Sequence, residues 1–263
     1  MGSNPGAAPG LGWGNAHGAR AIVSLDFGTT FSSVGISIRN GDNVTRSHSI
    51  SNYHDDPIVN NQASFQVPTE SLYCTAEQLQ KIRRHQNFEE IEEDQIRTGP
   101  SPVFYIWGYE TWAFNKFDSQ QDRHNRISKP KLLLDDSVGT QSVRDRLRPI
   151  LDRLRENKVI TEDEQVISDY LTRLFRHAKQ QATQHFRLEE DMPAEHVATV
   201  PVTWGPKTLR KMQNAIAIAV ESSQFGSMNN FFFISEPEAA AQFIIEKTRE
   251  IKVSVERADW VRY

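Results

Sequence analysis

The apolar run Ala21-Ile22-Val23-Ser24-Leu25 ends on Asp26-Phe27-Gly28-Thr29-Thr30, and an alternating pattern resumes at once in Phe31-Ser32-Ser33-Val34-Gly35-Ile36. That order reads as strand, tight turn, strand, and it constrains the chain more than any other stretch. Gly28 with the hydroxyls of Thr29 and Thr30 offers close backbone N–H groups to phosphate oxygens, and Asp26 offers a carboxylate to a hydrated Mg²⁺. On these residues alone two readings stand together. One is a nucleotide-phosphate turn; the other is an ordinary β-hairpin whose glycine merely permits positive φ.

Downstream of the turn, the pattern extends the first two strands into an antiparallel meander. Its runs are Ala21 to Asp26, Ser33 to Ile38 and Val44 to Ile50, with Asn40-Gly41-Asp42 as the hairpin signal between the second and third. From about Ser51 to Asp136 periodicity fades and Asn, Gln, Asp and Arg accumulate, which predicts a loop-rich insertion with a few short elements, its best strand 103–108. A helix is predicted over 143–157, kinked or divided at Pro149. A second follows Thr161-Glu162-Asp163-Glu164, a capping signature, with Val166, Ile167, Tyr170, Leu171, Leu174, Phe175 and Ala178 on one face. Val197 to Val200 predicts a buried strand stopped by Pro201, and Lys207 to Ser222 a helix with Leu209, Met212, Ile216, Ala219 and Val220 inward. Phe231 to Ile234 predicts another buried strand, and Pro237 opens a helix to about Lys247. A meander followed by alternating helices and strands implies an α/β fold with one mixed five-stranded sheet flanked by helices.

Composition narrows the function classes. A length of 263 residues allows one large domain or two small ones, while 38% hydrophobic residues imply polar insertions or disordered parts. A net charge of -4 gives no basic field for nucleic acid or an anionic membrane. No run reaches the roughly 20 apolar residues of a membrane helix. Cys74 is the only cysteine, so no intrachain disulfide can form, and cytoplasm or nucleus is the expected compartment. Residues 1–19, rich in Gly, Pro, Ala and Asn, read as a disordered leader and not as a secretory signal.

Few other stretches suggest chemistry. The fragment Gly10-Leu11-Gly12-Trp13-Gly14 precedes a strand instead of following one, so it does not read as a dinucleotide loop. Neither a Walker-type loop nor a G-x-S-x-G elbow occurs, and the histidines form no zinc-type pair. Arg144, Arg146, Arg148, Arg153 and Arg155 alternate with Asp145, Asp152 and Glu156, which reads as a salt-bridged solvated face. The run Glu89-Glu90-Ile91-Glu92-Glu93-Asp94 reads as exposed helix or loop, and Trp107, Trp112 and Trp204 as core or partly buried aromatics. Glu236, at a strand end just before a helix, fits a general base or a holder of metal-bound water; it equally fits a helix N-terminal acid favoured by the dipole.

Three segments, in order, resemble the seventy-kilodalton heat-shock protein family of the actin-like ATPase superfamily. Val23 to Val34 is similar to its first phosphate loop, apolar strand then D-x-G-T-T, aromatic, Ser. Val197-Ala198-Thr199-Val200-Pro201-Val202-Thr203-Trp204 with the following helix is similar to its V-P-A-Y-F segment. Phe233-Ile234-Ser235-Glu236-Pro237-Glu238-Ala239-Ala240-Ala241 is similar to its N-E-P-T-A-A-A segment. The resemblance spans about 21–247, and the divergent middle with Lys131-Leu132-Leu133-Leu134-Asp135 resembles fungal-type heat-shock-like proteins.

The resemblance implies an actin-like, ribonuclease H-like ATPase lobe. Residues 20–50 and 137–250 would form the lobe-one core, 51–136 an inserted subdomain and 251–263 a divergent tail. It implies ATP and Mg²⁺ as cofactors, with Asp26 holding Mg²⁺ through water and Gly28, Thr29, Thr30 and Phe31 wrapping the phosphates. Asp26 and Glu236 would then be the catalytic pair, and co-chaperone or client proteins the partners beside nucleotide. Two departures qualify it. Trp112 stands where the family's I-G-x-x-A-K segment carries a phosphate-stabilising lysine, although Lys116 is near. The second phosphate loop, D-x-G-G-G-T, has no counterpart, so the chain reads as a truncated first lobe with an incomplete nucleotide site. A non-enzymatic interaction module and a sugar kinase of the same superfamily are the competing readings.

Overall fold

The computed structural model describes residues 18–41, 43–44, 47–57, 62–75, 77, 80, 96–97, 103–115, 126–186, 188–189 and 192–259. The Gly10–Gly14 fragment, the Glu89–Asp94 run and Lys116 lie outside them. Strand β1 (Arg20–Phe27) buries Ala21, Val23, Leu25 and Phe27 and turns Ser24 and Asp26 to the opposite, exposed face. This is the period-2 pattern of a strand covered on one side. Strand β2 (Phe31–Asn40) returns antiparallel with Phe27 beside Ser32, and β3 (Asn43–Val44) follows across Gly41, whose φ of 60° suits the hairpin turn.

Strands β4 (His48–Ser49) and β5 (Val67–Pro68) also pair with β2. On the other side of β1 lies β10 (Ala194–Val200), parallel to it, and beyond that β11 (Phe231–Ser235), parallel to β10. The sheet is therefore mixed, with a five-strand path β11-β10-β1-β2-β3 and two short additions on β2. Helices flank it, and the fold class is α/β.

The described residues of the insertion include short strands that pair with one another. Strands β6 (Glu70–Thr75), β7 (Ile96–Arg97), β8 (Val103–Trp107) and β9 (Arg126–Ser128) form a separate antiparallel sheet in the order β7-β8-β6-β9. The pattern hid β6 because Ser71, Leu72, Tyr73 and Cys74 are all buried, so inward and outward positions do not alternate in polarity. Helix α1 (Glu110–Asn115) follows β8.

Helix α2 (Gln141–Glu156) is continuous through Pro149, so the helix is not divided there. The proline is exposed, so the Asp145 carbonyl that it leaves without an amide donor lies on the solvent side, while Leu147, Leu151 and Leu154 face the core. Helix α3 (Gln165–Phe186) buries the whole predicted face, with Ala182 besides. Its start is closed one residue later than the capping signature suggested: Gln165 Oε1 accepts the Thr161 N–H at 2.9 Å. Helix α4 (Pro206–Ser223) begins on proline and turns Met212, Ala215, Ile216, Ala219 and Val220 inward.

The last two elements differ from expectation. Strand β11 is an edge strand among the described residues, and Phe232 is 60% exposed where a fully buried strand was predicted. An unbroken apolar run cannot tell two covered faces from one. Helix α5 (Glu236–Asp259) starts at Glu236, one residue before Pro237, and leaves Phe243, Ile244 and Ile245 exposed. No helix of the described residues is long and apolar enough to cross a membrane.

Candidate functional site

Parallel pairing brings the C-terminal ends of β1, β10 and β11 to one edge of the sheet. Leu25 lies beside Ala198, Thr199 beside Ile234 and Val200 beside Ser235, so Asp26, Thr199 and Glu236 follow one another across the edge. Strands are about 4.8 Å apart, which puts β1 and β11 roughly 10 Å from each other. The Thr199 hydroxyl donates to Asp26 Oδ1 at 3.0 Å. Among the described residues the Asp26 carboxylate has no other hydrogen bond or ion pair.

The turn from Gly28 to Phe31 needs glycine for a reason other than backbone handedness. Gly28 is not in the left-handed region, and a Cβ there would stand 2.1 Å from the Phe31 carbonyl oxygen. The strands on either side do pair as an antiparallel hairpin, but the glycine is not there to permit positive φ. Among the described residues no hydrogen bond uses the N–H of Gly28, Thr29 or Thr30. The turn is held from outside instead: Thr69 N donates to Thr30 O at 2.8 Å, and the Ser32 and Thr69 hydroxyls meet at 2.8 Å in the core.

Glu236 is released from the capping role that its position suggests. Ser235 and Glu238 close the start of α5 as a capping box, with the Ser235 hydroxyl and N–H donating to Glu238 Oε2 at 2.6 and 3.0 Å. These bonds hold the exposed Glu238 carboxyl below its usual range. Glu236 reaches across to Lys131, whose Nζ donates to Oε1 at 3.1 Å. The Lys131 side chain is 7% exposed, and its ammonium lies 5.4 Å from the centroid of the Trp204 ring.

The sequence pattern does not mark Lys131 as a site residue. It stands in a short 3-10 turn, Pro130–Leu133, behind Lys129 at φ 58°. Only the Lys131-Leu132-Leu133-Leu134-Asp135 block drew attention to it, and its partner is 105 residues away. At the position where the resemblance expects a lysine, Trp112 donates its indole N–H to Glu70 Oε2 at 3.2 Å and stands edge-on to Phe31 at 6.1 Å. Phe31 thus lies under an aromatic lip beside the turn.

Two guanidinium groups of the arginine-rich helix bind within it and to the segments on either side. Arg155 pairs with Asp152 and, at 2.5 Å, with Asp163, while Arg144 donates to the carbonyls of Asp135 and Ser137. A cavity of about 550 Å³ lies between α3 and α4 and is lined by Glu164, Asp169, Arg173, Lys211 and Asn214, with none of the turn residues. Among the described residues no three His, Cys, Asp or Glu side chains gather as a metal cage. A hydrated Mg²⁺ needs only one or two protein carboxylates beside phosphate oxygens, and Asp26 presents one exposed carboxylate at the turn. No protein-family model matches the chain, and no curated protein matches it.

Proposed function

We propose that this chain is an ATP-binding, heat-shock-like member of the actin-like ATPase superfamily, with the triphosphate and Mg²⁺ received at the edge between β1 and β11. The observation that carries the proposal is the buried Lys131 ammonium paired with Glu236, two strands from an Asp26 carboxylate beside a turn whose N–H groups make no hydrogen bond among the described residues. Complementary charges flanking unused backbone donors are what a phosphate chain with its cation requires. Contact to adenine rests on the resemblance alone.

Each residue has a role under this reading. Asp26 holds a water of the hydrated Mg²⁺, and the N–H groups of Gly28, Thr29 and Thr30 donate to phosphate oxygens. Lys131 offers a cation to the terminal phosphate. Glu236, half-exposed, orients a water and takes its proton. Bound Mg²⁺ supplies charge neutralisation of the phosphates.

Calorimetric titration with ATP tests the proposal. Affinity is expected to depend on Mg²⁺ and to fall at least roughly tenfold in both Asp26→Ala and Lys131→Ala, as loss of a charged contact implies. Absence of Mg²⁺-dependent binding refutes it. A second reading, a non-enzymatic interaction module for co-chaperone or client proteins, is favoured by the exposed Phe232, Phe243, Ile244 and Ile245. Wild-type behaviour unchanged in Asp26→Ala supports that reading.

A further inference from the structure

We infer that the C-terminal end of β10 and the segment that follows it are a positioning element, in which Thr199 aims the Asp26 carboxylate and Trp204 seats the Lys131 ammonium; this rests on the phosphate-site reading above. Neither residue carries charge, yet each touches one of the two opposite charges of the site. Thr199 donates to Asp26 Oδ1 at 3.0 Å, and the Trp204 ring lies 5.4 Å from Lys131 Nζ.

Asp26 sits on the exposed face of β1, where a carboxylate turns freely unless something fixes it. Thr199 is β-branched and lies on the adjacent parallel strand, so its hydroxyl has few available directions. Occupying Oδ1 leaves Oδ2 as the oxygen directed to a ligand. Trp204 acts differently. A buried ammonium has three N–H groups, and Glu236 takes one. An indole face satisfies the cation electrostatically without accepting a directed bond, so it holds Lys131 while the remaining N–H groups stay available for a phosphate oxygen. Trp204 is itself held: its backbone N–H donates to Pro201 O at 3.1 Å, and its side chain packs against the core.

The two roles differ in what magnesium changes. ATP titration of the full chain, in Mg²⁺ and in EDTA, reads them separately. Thr199→Val is expected to reduce the Mg²⁺-dependent gain in affinity by roughly five- to tenfold while metal-free affinity changes less than about twofold, and Thr199→Ser restores the gain. Trp204→Leu is expected to weaken binding about three- to tenfold in both buffers, with rescue by Trp204→Phe. If Thr199→Val destabilises the fold, the cycle with Asp26→Ala decides: Thr199→Ala adds nothing in that background when Thr199 acts through Asp26. An unchanged Mg²⁺ gain in Thr199→Val, or failure of the conservative variants to rescue, overturns the inference while the nucleotide reading stands. Wild-type protein that binds no ATP in either buffer overturns both.

Discussion

Replacing Gly28 separates two accounts of the turn by their steric demands. A Cβ at this position stands 2.1 Å from the Phe31 carbonyl oxygen, well inside van der Waals contact, and the obstructing atom is backbone. The turn has to open by about an ångström. That movement strains the Thr69 N–H to Thr30 O bond of 2.8 Å and one β1–β2 rung, each about 0.5–1.5 kcal/mol. Alanine recovers about 0.4–1 kcal/mol by restricting the unfolded chain. The net loss is then up to about 2.6 kcal/mol and centred on about 1.3 kcal/mol, the centre corresponding to roughly 3–5 °C in Tm for a chain of this size. Because Gly28 is not left-handed, Gly28→Asn is expected to cost as much as Gly28→Ala. A glycine needed for positive φ would instead tolerate Asn better. Urea denaturation of the three proteins measures this; Asn more stable than Ala by about 1 kcal/mol or more refutes the close-approach account.

Three further outcomes are expected. Glu236→Ala strips the partner from a buried ammonium and is expected to destabilise the fold by about 1–3 kcal/mol, while adding Lys131→Met recovers much of it; equal stabilities of the single and double variants in denaturation show the pair to be idle. Burial raises the Glu110 carboxyl to about 7, against a lowering pull from His54, so the folded state binds a proton that the unfolded state releases above its ordinary carboxylate range. Its penalty is present above about pH 7 and relieved on acidification, and Glu110→Gln is expected to stabilise by on the order of 1–3 kcal/mol at pH 8 but little at pH 5; a pH-independent difference contradicts this. His196 and His177 act in the opposite sense, because burial lowers both, outweighing the hydrogen bonds to Phe225 O and Ser51 O. Each is harder to protonate folded than unfolded, so stability is lost as pH falls through the unfolded value of about 6.5, and Tm against pH is expected to bend there and to bend less in His196→Gln.

Elements with one covered face were readable from the residues. The alternation along β1 and the 3.6-residue stripe along α3 each name the side that ends up buried. Strand β6 was not readable, since burial on both sides removes the alternation, and the Phe231 run could not announce that it would lie at an edge. The candidate site divides the same way. Asp26, Gly28 and Glu236 were visible because each sits at a junction between local patterns. Lys131 and Thr199 were not, because what distinguishes them is a partner 105 or 173 residues away. Trp204 was visible only as an aromatic, its cation lying on another element.

The segment from Gln66 to Glu70 acts as a clasp between the two sheets. Gln66 O accepts from Tyr109, Pro68 O from Tyr170, Thr69 donates to Thr30, and Glu70 O accepts from Gly108. Five consecutive residues thus tie the inserted sheet, helix α3 and the Asp26 turn to one another. The turn and the insertion are therefore expected to open as a single unit, so that loosening the clasp frees the turn without altering any residue in it. Substitutions far out in the insertion can then change the ordering of a site that they never touch.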